Sequence, residues 1–154
     1  MNDSIASRAT TQMPLRLLMA EMEITLAAPA SSGDLRQWIG KTRAGFGAMW
    51  PTLRDEMEQT RARLFQWLLV KNEALSPQVE ELRGINGQLE GGFNRFNAAL
   101  GTCEEGLPTD TGAVKSVEAL SRRGLRLLKR FHLQEALIAR RMTEVVNRER
   151  GIGG

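Results

Sequence analysis

Few residues in this chain are of a type that could do chemistry. The 154 residues include one cysteine, Cys103, and one histidine, His132. A single cysteine excludes an internal disulfide, and a single histidine excludes a His-rich metal site. Cys103 precedes Glu104 and Glu105, whose negative charges disfavour the thiolate that a nucleophile needs. We therefore interpret Cys103 as an unreactive loop thiol.

The short motifs of several common enzyme classes are missing from the sequence. It contains no GxxxxGK(S/T) phosphate-binding loop, no GxGxxG after a strand and no GxSxG nucleophile elbow. It also lacks the HExxH, CxxC and EF-hand spacings. These absences favour a protein that is not an enzyme, and we assign no catalytic residue and no cofactor.

Two charged residues interrupt helix faces that are otherwise apolar. Lys71 lies in the apolar stripe of the second predicted helix, and Glu135 lies in that of the last. An unpaired charge in a protein core is costly, so each side chain must find a partner or reach water. One hypothesis is that Lys71 and Glu135 pair across the core. The alternative is that both lie near a helix end or a wet gap.

Basic residues are concentrated towards the end of the chain. From residue 122 to 150 there are nine Lys or Arg and three Asp or Glu, so this part carries +6 while the whole chain carries +3. On a helix, seven of the basic residues share an arc of about 120° opposite the apolar stripe. They are Arg122, Arg123, Arg126, Lys129, Arg130, Arg140 and Arg141. Such a face could follow the phosphates of a nucleic acid or an anionic surface.

The elements that position these residues are predicted to be helices. The chain is 42% hydrophobic but only 5% aromatic and has no Tyr, a composition that disfavours a sheet. Pro14 begins a first helix that ends at 28–33, and Asp34 with Gln37 has the spacing of a capping box. Apolar residues at spacings of three and four then continue the pattern of amphipathic helices.

The second predicted helix is the least regular. It contains three glycines between residues 40 and 47, followed by Pro51, and this predicts a kink or a split near Pro51. Pro77 begins a third helix, residues 101–112 are expected to form a polar loop, and a fourth helix runs from about Ala113 to Arg148.

Four amphipathic segments joined by short loops predict an all-α protein, an antiparallel up-down four-helix bundle. We expect a flexible leader at residues 1–12, one helical-bundle domain at 13–149 and a flexible Gly-rich tail at 150–154. Apolar runs stop after a few residues, where a transmembrane helix needs about 18, and no secretory signal is evident. The sequence therefore predicts a cytoplasmic protein without a membrane span.

The stretch from Phe65 to Pro77, FQWLLVKNEALSP, resembles the second-helix signature of hemerythrin-like (HHE-type) proteins. That family places a Glu four residues after a His, and a Leu/Phe-Pro stop about ten residues after the His. Aligned on Pro77, the resemblance puts Trp67 at the position of the His and Lys71 at that of the Glu.

The last helix resembles the second His-xxx-Glu segment of the same family. Phe131 then stands at the His position, Glu135 is retained, and Asn86 occupies a third ligand position. With Trp67, Lys71 and Phe131 at ligand positions, the resemblance implies a bundle that has lost its di-iron site. It therefore implies neither oxygen carriage nor iron sensing.

Three classes of function remain open at this point. The one we favour is a non-enzymatic interaction or regulatory module that binds an unknown protein partner or a second copy of itself. The second is a nucleic-acid or anionic-surface binder that uses the basic face of the last helix. The third is a metal-binding or redox bundle with His132, Glu135, Glu73 and Glu90 as ligands, a poor set for a transition metal.

Overall fold

The computed structural model describes residues 2–28, 34–106, 111–149 and 151, with the side chains of 15–28, 34–106, 112–149 and 151. It contains five α-helices: α1 (Asn2–Ala27), α2 (Leu35–Asp55), α3 (Arg61–Lys71), α4 (Ser76–Glu105) and α5 (Thr111–Glu149). A π-helical segment, Glu56–Thr60, joins α2 to α3, and a 3₁₀ turn, Glu73–Leu75, precedes α4. The described residues contain no strand, so the predicted all-α class is confirmed.

The second helical segment continues from Leu35 to Lys71 without a split at Pro51. Helical structure passes through Pro51 and reaches Asp55. The irregularity begins at Glu56, where the backbone N–H of Arg61 donates to the Glu56 carbonyl five residues earlier. A split at Pro51 is therefore wrong and a kink there stays a prediction, and α2, the π segment and α3 together form one of four helical segments.

The π segment accommodates one extra residue in the buried stripe of this helix. Core-facing residues follow one another at spacings of three, four, four, four and three: Trp50, Leu53, Met57, Arg61, Phe65 and Leu68. In an α-helix each step of four advances about 400°, so three such steps would rotate the stripe by about 120°. A π turn absorbs the additional residue and keeps Arg61 and Phe65 on the buried face.

The core consists of two apolar clusters. The larger one joins α1, α2, α4 and α5 and contains the packed rings of Phe46, Trp50, Phe93 and Phe96. The smaller one joins α3, α4 and α5 and contains Phe65, Leu68, Val79, Leu82, Ile138 and Val145. On each helix that contributes to both clusters, a polar residue separates the two sets, and these residues form the candidate site.

The starts of α1 and α2 differ from the sequence prediction. Helix α1 begins at Asn2, so the expected leader at 1–12 is helical from that residue on, and its flexibility stays a prediction. Asp34 precedes α2, but its side chain makes no capping hydrogen bond, so the predicted capping box is wrong. Its backbone carbonyl instead accepts from the N–H of Trp38.

None of the helices in the described part of the chain combines the length and the apolar character that a membrane span requires.

Helix α4 is longer than predicted. It extends to Glu105, five residues into the segment 101–112 that was expected to be a loop. Cys103 therefore lies on a helix, where burial raises the pKa of its thiol. Of the predicted tail at 150–154, all but Gly151 lie outside the described residues.

Helix α5 approaches α4 closely where α4 has a glycine. A Cβ added to Gly92 would lie 2.7 Å from Cδ2 of Leu127. The absence of a side chain at this position therefore lets the two helices approach one another. The contact draws the surface residues on either side of Gly92 and Leu127 towards one another.

Candidate functional site

A charged side chain lies in the core between the two apolar clusters. Arg61 is only 2% exposed. Its Nη1 donates to Oε1 of Gln134 and to Oδ1 of Asn86, the latter at 3.2 Å. Its Nη2 donates to the backbone carbonyl of Phe131 at 3.5 Å. The guanidinium carbon also lies 4.0 Å from the centroid of the Phe131 ring, a cation–π contact.

The two amides that accept from Arg61 are themselves anchored to the backbone. Nδ2 of Asn86 donates to the carbonyl of Met57 at 3.0 Å, inside the π segment. Nε2 of Gln134 donates to the carbonyl of Leu82 at 2.9 Å. We call Arg61, Asn86 and Gln134 the polar layer. Its hydrogen bonds tie α3, α4 and α5 together, and a partnered network of this kind is what a buried polar group requires.

Arg61 remains charged at neutral pH. Burial lowers the pKa of Arg61 to about 10, while the negative charges of Glu135 and Glu56 act in the opposite direction. Glu56, on the π segment, responds differently. Burial raises the pKa of Glu56, and this effect exceeds the lowering by the Thr60 hydrogen bond and by the Arg61 charge.

A cleft of about 450 Å³ opens beside Glu56 and Glu135, the two carboxylates that act on Arg61. It lies among α1, the π segment and α5, and its other ionisable residues are Arg16 and His132. Nε2 of His132 is 2.8 Å from Oε1 of Glu23, and Nδ1 is 3.2 Å from Oε1 of Glu135. The imidazole therefore bridges α1 to α5 at the surface and has both ring nitrogens occupied.

Lys71 and Glu135 do not pair with each other, and Lys71 lies at a helix end, as the alternative hypothesis held. Lys71 is the last residue of α3, and its Nζ lies 3.0 Å from Oε1 of Glu149 near the end of α5. Glu135 precedes Glu149 by fourteen residues, about 21 Å along a helix. Glu135 instead contacts His132, and both Lys71 and Glu135 are exposed. The buried charge on this helical segment is Arg61, which the sequence reasoning missed.

Arg61 was missed because the prediction followed the apolar residues of this helix. Continued from Met57 at α-helical spacing, the apolar stripe passes through Leu64 and Trp67, and both of these are only half-buried. The π segment shifts the buried face by one residue, so Arg61 and Phe65 occupy it instead. At α-helical spacing Arg61, four residues after Met57, already lies about 40° from it, so the sequence alone could have placed Arg61 beside the apolar stripe.

The residues considered as metal ligands come together only in part. His132 and Glu135 are neighbours, whereas Glu73 belongs to the 3₁₀ turn before α4. Glu90 on α4 forms a hydrogen bond with Glu58, which together with burial raises the pKa of Glu90. Across residues 15–28, 34–106 and 112–149, no group of three or more His, Cys, Asp or Glu side chains could hold a metal ion.

The basic face of α5 falls into two parts. Arg140 and Arg141 lie 3.6 and 3.2 Å from the carboxylate of Glu144, so a nearby negative charge offsets both. The other five form no ion pair with a carboxylate of the described residues: Arg122, Arg123, Arg126, Lys129 and Arg130.

An arginine from a second helix joins the unpaired part of this face. Arg95 of α4, with Arg123, Arg126 and Arg130 of α5, lines a groove of about 240 Å³ that also includes Gln88, Gly92 and Leu127. We call these four side chains the arginine groove. Nη2 of Arg130 donates to Oε1 of Gln88 at 3.5 Å, and Arg95 lies across the Gly92–Leu127 contact from α5. The groove contains no acidic residue.

We compared the chain with protein-family models, curated proteins and solved structures. No family model matches the chain, and no curated protein or solved structure is significantly similar to it.

Proposed function

We propose that this chain is a non-enzymatic helical-bundle module that acts by binding a partner, and that its bundle is a hemerythrin-like, antiparallel up-down arrangement without a metal site. The polar layer is the observation that supports this proposal. It places a guanidinium, rather than a set of ligands, between the two halves of the core.

Two of the five positions that the hemerythrin resemblance assigns to ligands lie beside Arg61, whereas Lys71, at a third, pairs with Glu149. Asn86 and Phe131, placed at two of these positions by sequence, both contact Arg61. A buried cation repels a second cation strongly, because few solvent dipoles screen it there. The other polar groups around Arg61 are two side-chain amides and a backbone carbonyl, and these are weak ligands for iron, manganese or zinc.

The experiment that tests this proposal is metal analysis of purified, tag-free protein expressed in medium supplemented with iron, manganese and zinc. We expect far less than one metal ion per chain and no rise in melting temperature when any of the three is added. A stoichiometric metal would contradict the proposal. The variant His132→Ala is the control, because it removes the only imidazole that adventitious surface metal could use.

A second function, binding of a polyanion, is favoured by a specific observation. The arginine groove gathers four guanidinium groups from two helices and contains no carboxylate. The seven basic residues expected on the last helix are therefore not equivalent. Those near α4 are available to a ligand, whereas Arg140 and Arg141 contact Glu144.

A further inference from the structure

The arginine groove concentrates positive charge that no carboxylate of the described residues pairs with. Arg123, Arg126 and Arg130 lie three and four residues apart on α5, so their side chains are neighbours on one face. Arg95 approaches the same face from α4. Like charges at these spacings repel one another, and a bound anion would remove this repulsion.

Guanidinium groups are well suited to one class of anion. The planar group presents its N–H donors as a fork that matches two oxygens of a phosphate, and it stays charged at every physiological pH. Arg95, Arg126 and Arg130 are exposed, and Arg123 is half-buried, so the donors of all four can reach a ligand in the groove. Among the described side chains, the one acceptor that they contact is Gln88, which accepts from Arg130 at 3.5 Å.

The basic surface is longer than a single phosphate group needs. From Arg122 to Arg130 the row extends about 12 Å along α5, a length over which one strand of duplex DNA carries three to four phosphates. Arg122 and Lys129 extend the row outside the groove, and both are exposed. A row of this length favours a polymer of phosphates over a small anion.

The groove lacks the groups that bind single-stranded bases. Its lining residues include no Phe or Trp, and base stacking on aromatic rings is the usual basis of single-strand binding. It also presents no Asn and only one Gln, so arginine, which binds phosphate as well as guanine, is the main group that it offers to a duplex. Its chemistry is that of contact with a phosphate backbone.

We propose that the arginine groove binds the phosphate backbone of duplex nucleic acid without reading its sequence. This inference rests on the proposed function of the chain as a partner-binding module, and it names the partner. Arg95 and Arg126 hold the backbone from α4 and α5, and the Gly92–Leu127 contact sets the distance between the two helices.

Fluorescence anisotropy with a labelled duplex of random sequence tests the proposal, at salt concentrations between about 50 and 200 mM. The variant Arg95→Ala/Arg126→Ala removes one guanidinium from each helix. Arg36→Ala/Arg148→Ala removes the same charge from exposed positions outside the groove and is the matched control. Circular dichroism and urea unfolding establish that both variants are folded.

We expect the groove variant to bind at least about tenfold more weakly than the unmodified protein, and to lower the slope of log K against log salt by about two. The control should lose about twofold or less, and duplexes of different sequence should bind alike. Equal losses in the two variants, or no binding of the duplex at the lowest salt, would overturn the proposal.

Two further ligands separate the other sources of phosphate. Vesicles that contain an anionic phospholipid, and inorganic phosphate alone, are measured against the same variants. Preferential binding of vesicles that is lost in the groove variant would overturn the duplex as the partner and identify a membrane surface. Binding of free phosphate as tightly as the duplex would also overturn it. None of these readouts depends on metal content, so this proposal and the metal-free bundle can fail separately.

Discussion

Arginine occurs in two opposite settings in this molecule. Arg61 is buried in the polar layer, where Asn86, Gln134 and Phe131 receive its hydrogen bonds. The arginines of the groove lie at the surface, and among the described side chains no carboxylate pairs with them. All of these arginines carry the same charge. Their partners decide whether an arginine stabilises the fold or is available to a ligand.

The two settings carry different energetic demands. A buried guanidinium loses its hydration and must recover it from fixed acceptors, so each acceptor of the polar layer matters to folding. An exposed guanidinium stays hydrated, and the fold changes little when it is removed. If removal of an exposed guanidinium destabilised the fold as much as removal of the buried one, this distinction would be wrong.

The largest effect is expected for Arg61→Ala. The substitution leaves the amide oxygens of Asn86 and Gln134 without their donor and opens a cavity between the two apolar clusters. We expect a loss of about 3–5 kcal/mol in the free energy of unfolding, measured by urea denaturation. The matched control is Arg95→Ala, for which we expect a change within about 0.5 kcal/mol. Similar losses in the two variants would contradict the distinction.

An intermediate effect is expected for Gln134→Leu. It keeps the side chain's approximate size but removes the oxygen that accepts from Arg61 and the amide that donates to Leu82. We expect a loss of about 1–3 kcal/mol by the same measurement. Gln88→Leu makes the same chemical change at the groove, where Gln88 is exposed and accepts only from Arg130, and it should be close to neutral. A neutral Gln134→Leu would mean that the polar layer does not depend on this amide.

A smaller, pH-dependent effect is expected for Glu56→Gln. Because the pKa of Glu56 is raised above its ordinary value of 4.5 in the folded state, the folded protein holds this proton more tightly than the unfolded chain. Stability from this group is full below the unfolded pKa and falls as the pH rises through the folded pKa. Glu56→Gln should therefore be more stable than the unmodified protein at neutral pH and lose that advantage in acid.

Urea denaturation at neutral pH and below the ordinary glutamate pKa measures this difference. Glu118→Gln, at an exposed position on α5, is the control and should show a smaller dependence. An advantage for Glu56→Gln that persists unchanged in acid would show that burial of the charge is not its cause.

The helices could be predicted from the sequence because their signals are local. Spacings of three and four and Pro77 in the first turn of α4 act within a few residues, whereas Pro14, expected to begin a helix, lies inside α1. The basic face of α5 was predicted for the same reason, since its members lie on one helix. Arg95 was missed because it belongs to this surface only through the packing of α4 against α5.

The polar layer could not be predicted in the same way. Its three side chains come from three helices, and only the fold shows that they meet. Lys71 was selected because α-helical periodicity places it in the apolar stripe, but α3 ends at that residue and the side chain pairs with Glu149. Arg61 was overlooked because the prediction followed the apolar residues and took no account of the extra residue in the π segment.

That extra residue also affects how this chain can change in length. A deletion within a packed α-helix rotates everything that follows by about 100° and turns core residues towards water. Loss of an exposed residue such as Gln59 from Glu56–Thr60 would instead leave spacings of three, four, three, four and three between Trp50 and Leu68. A single-codon deletion in this segment is therefore compatible with an uninterrupted core, and evolution could shorten the helix here without redesigning it.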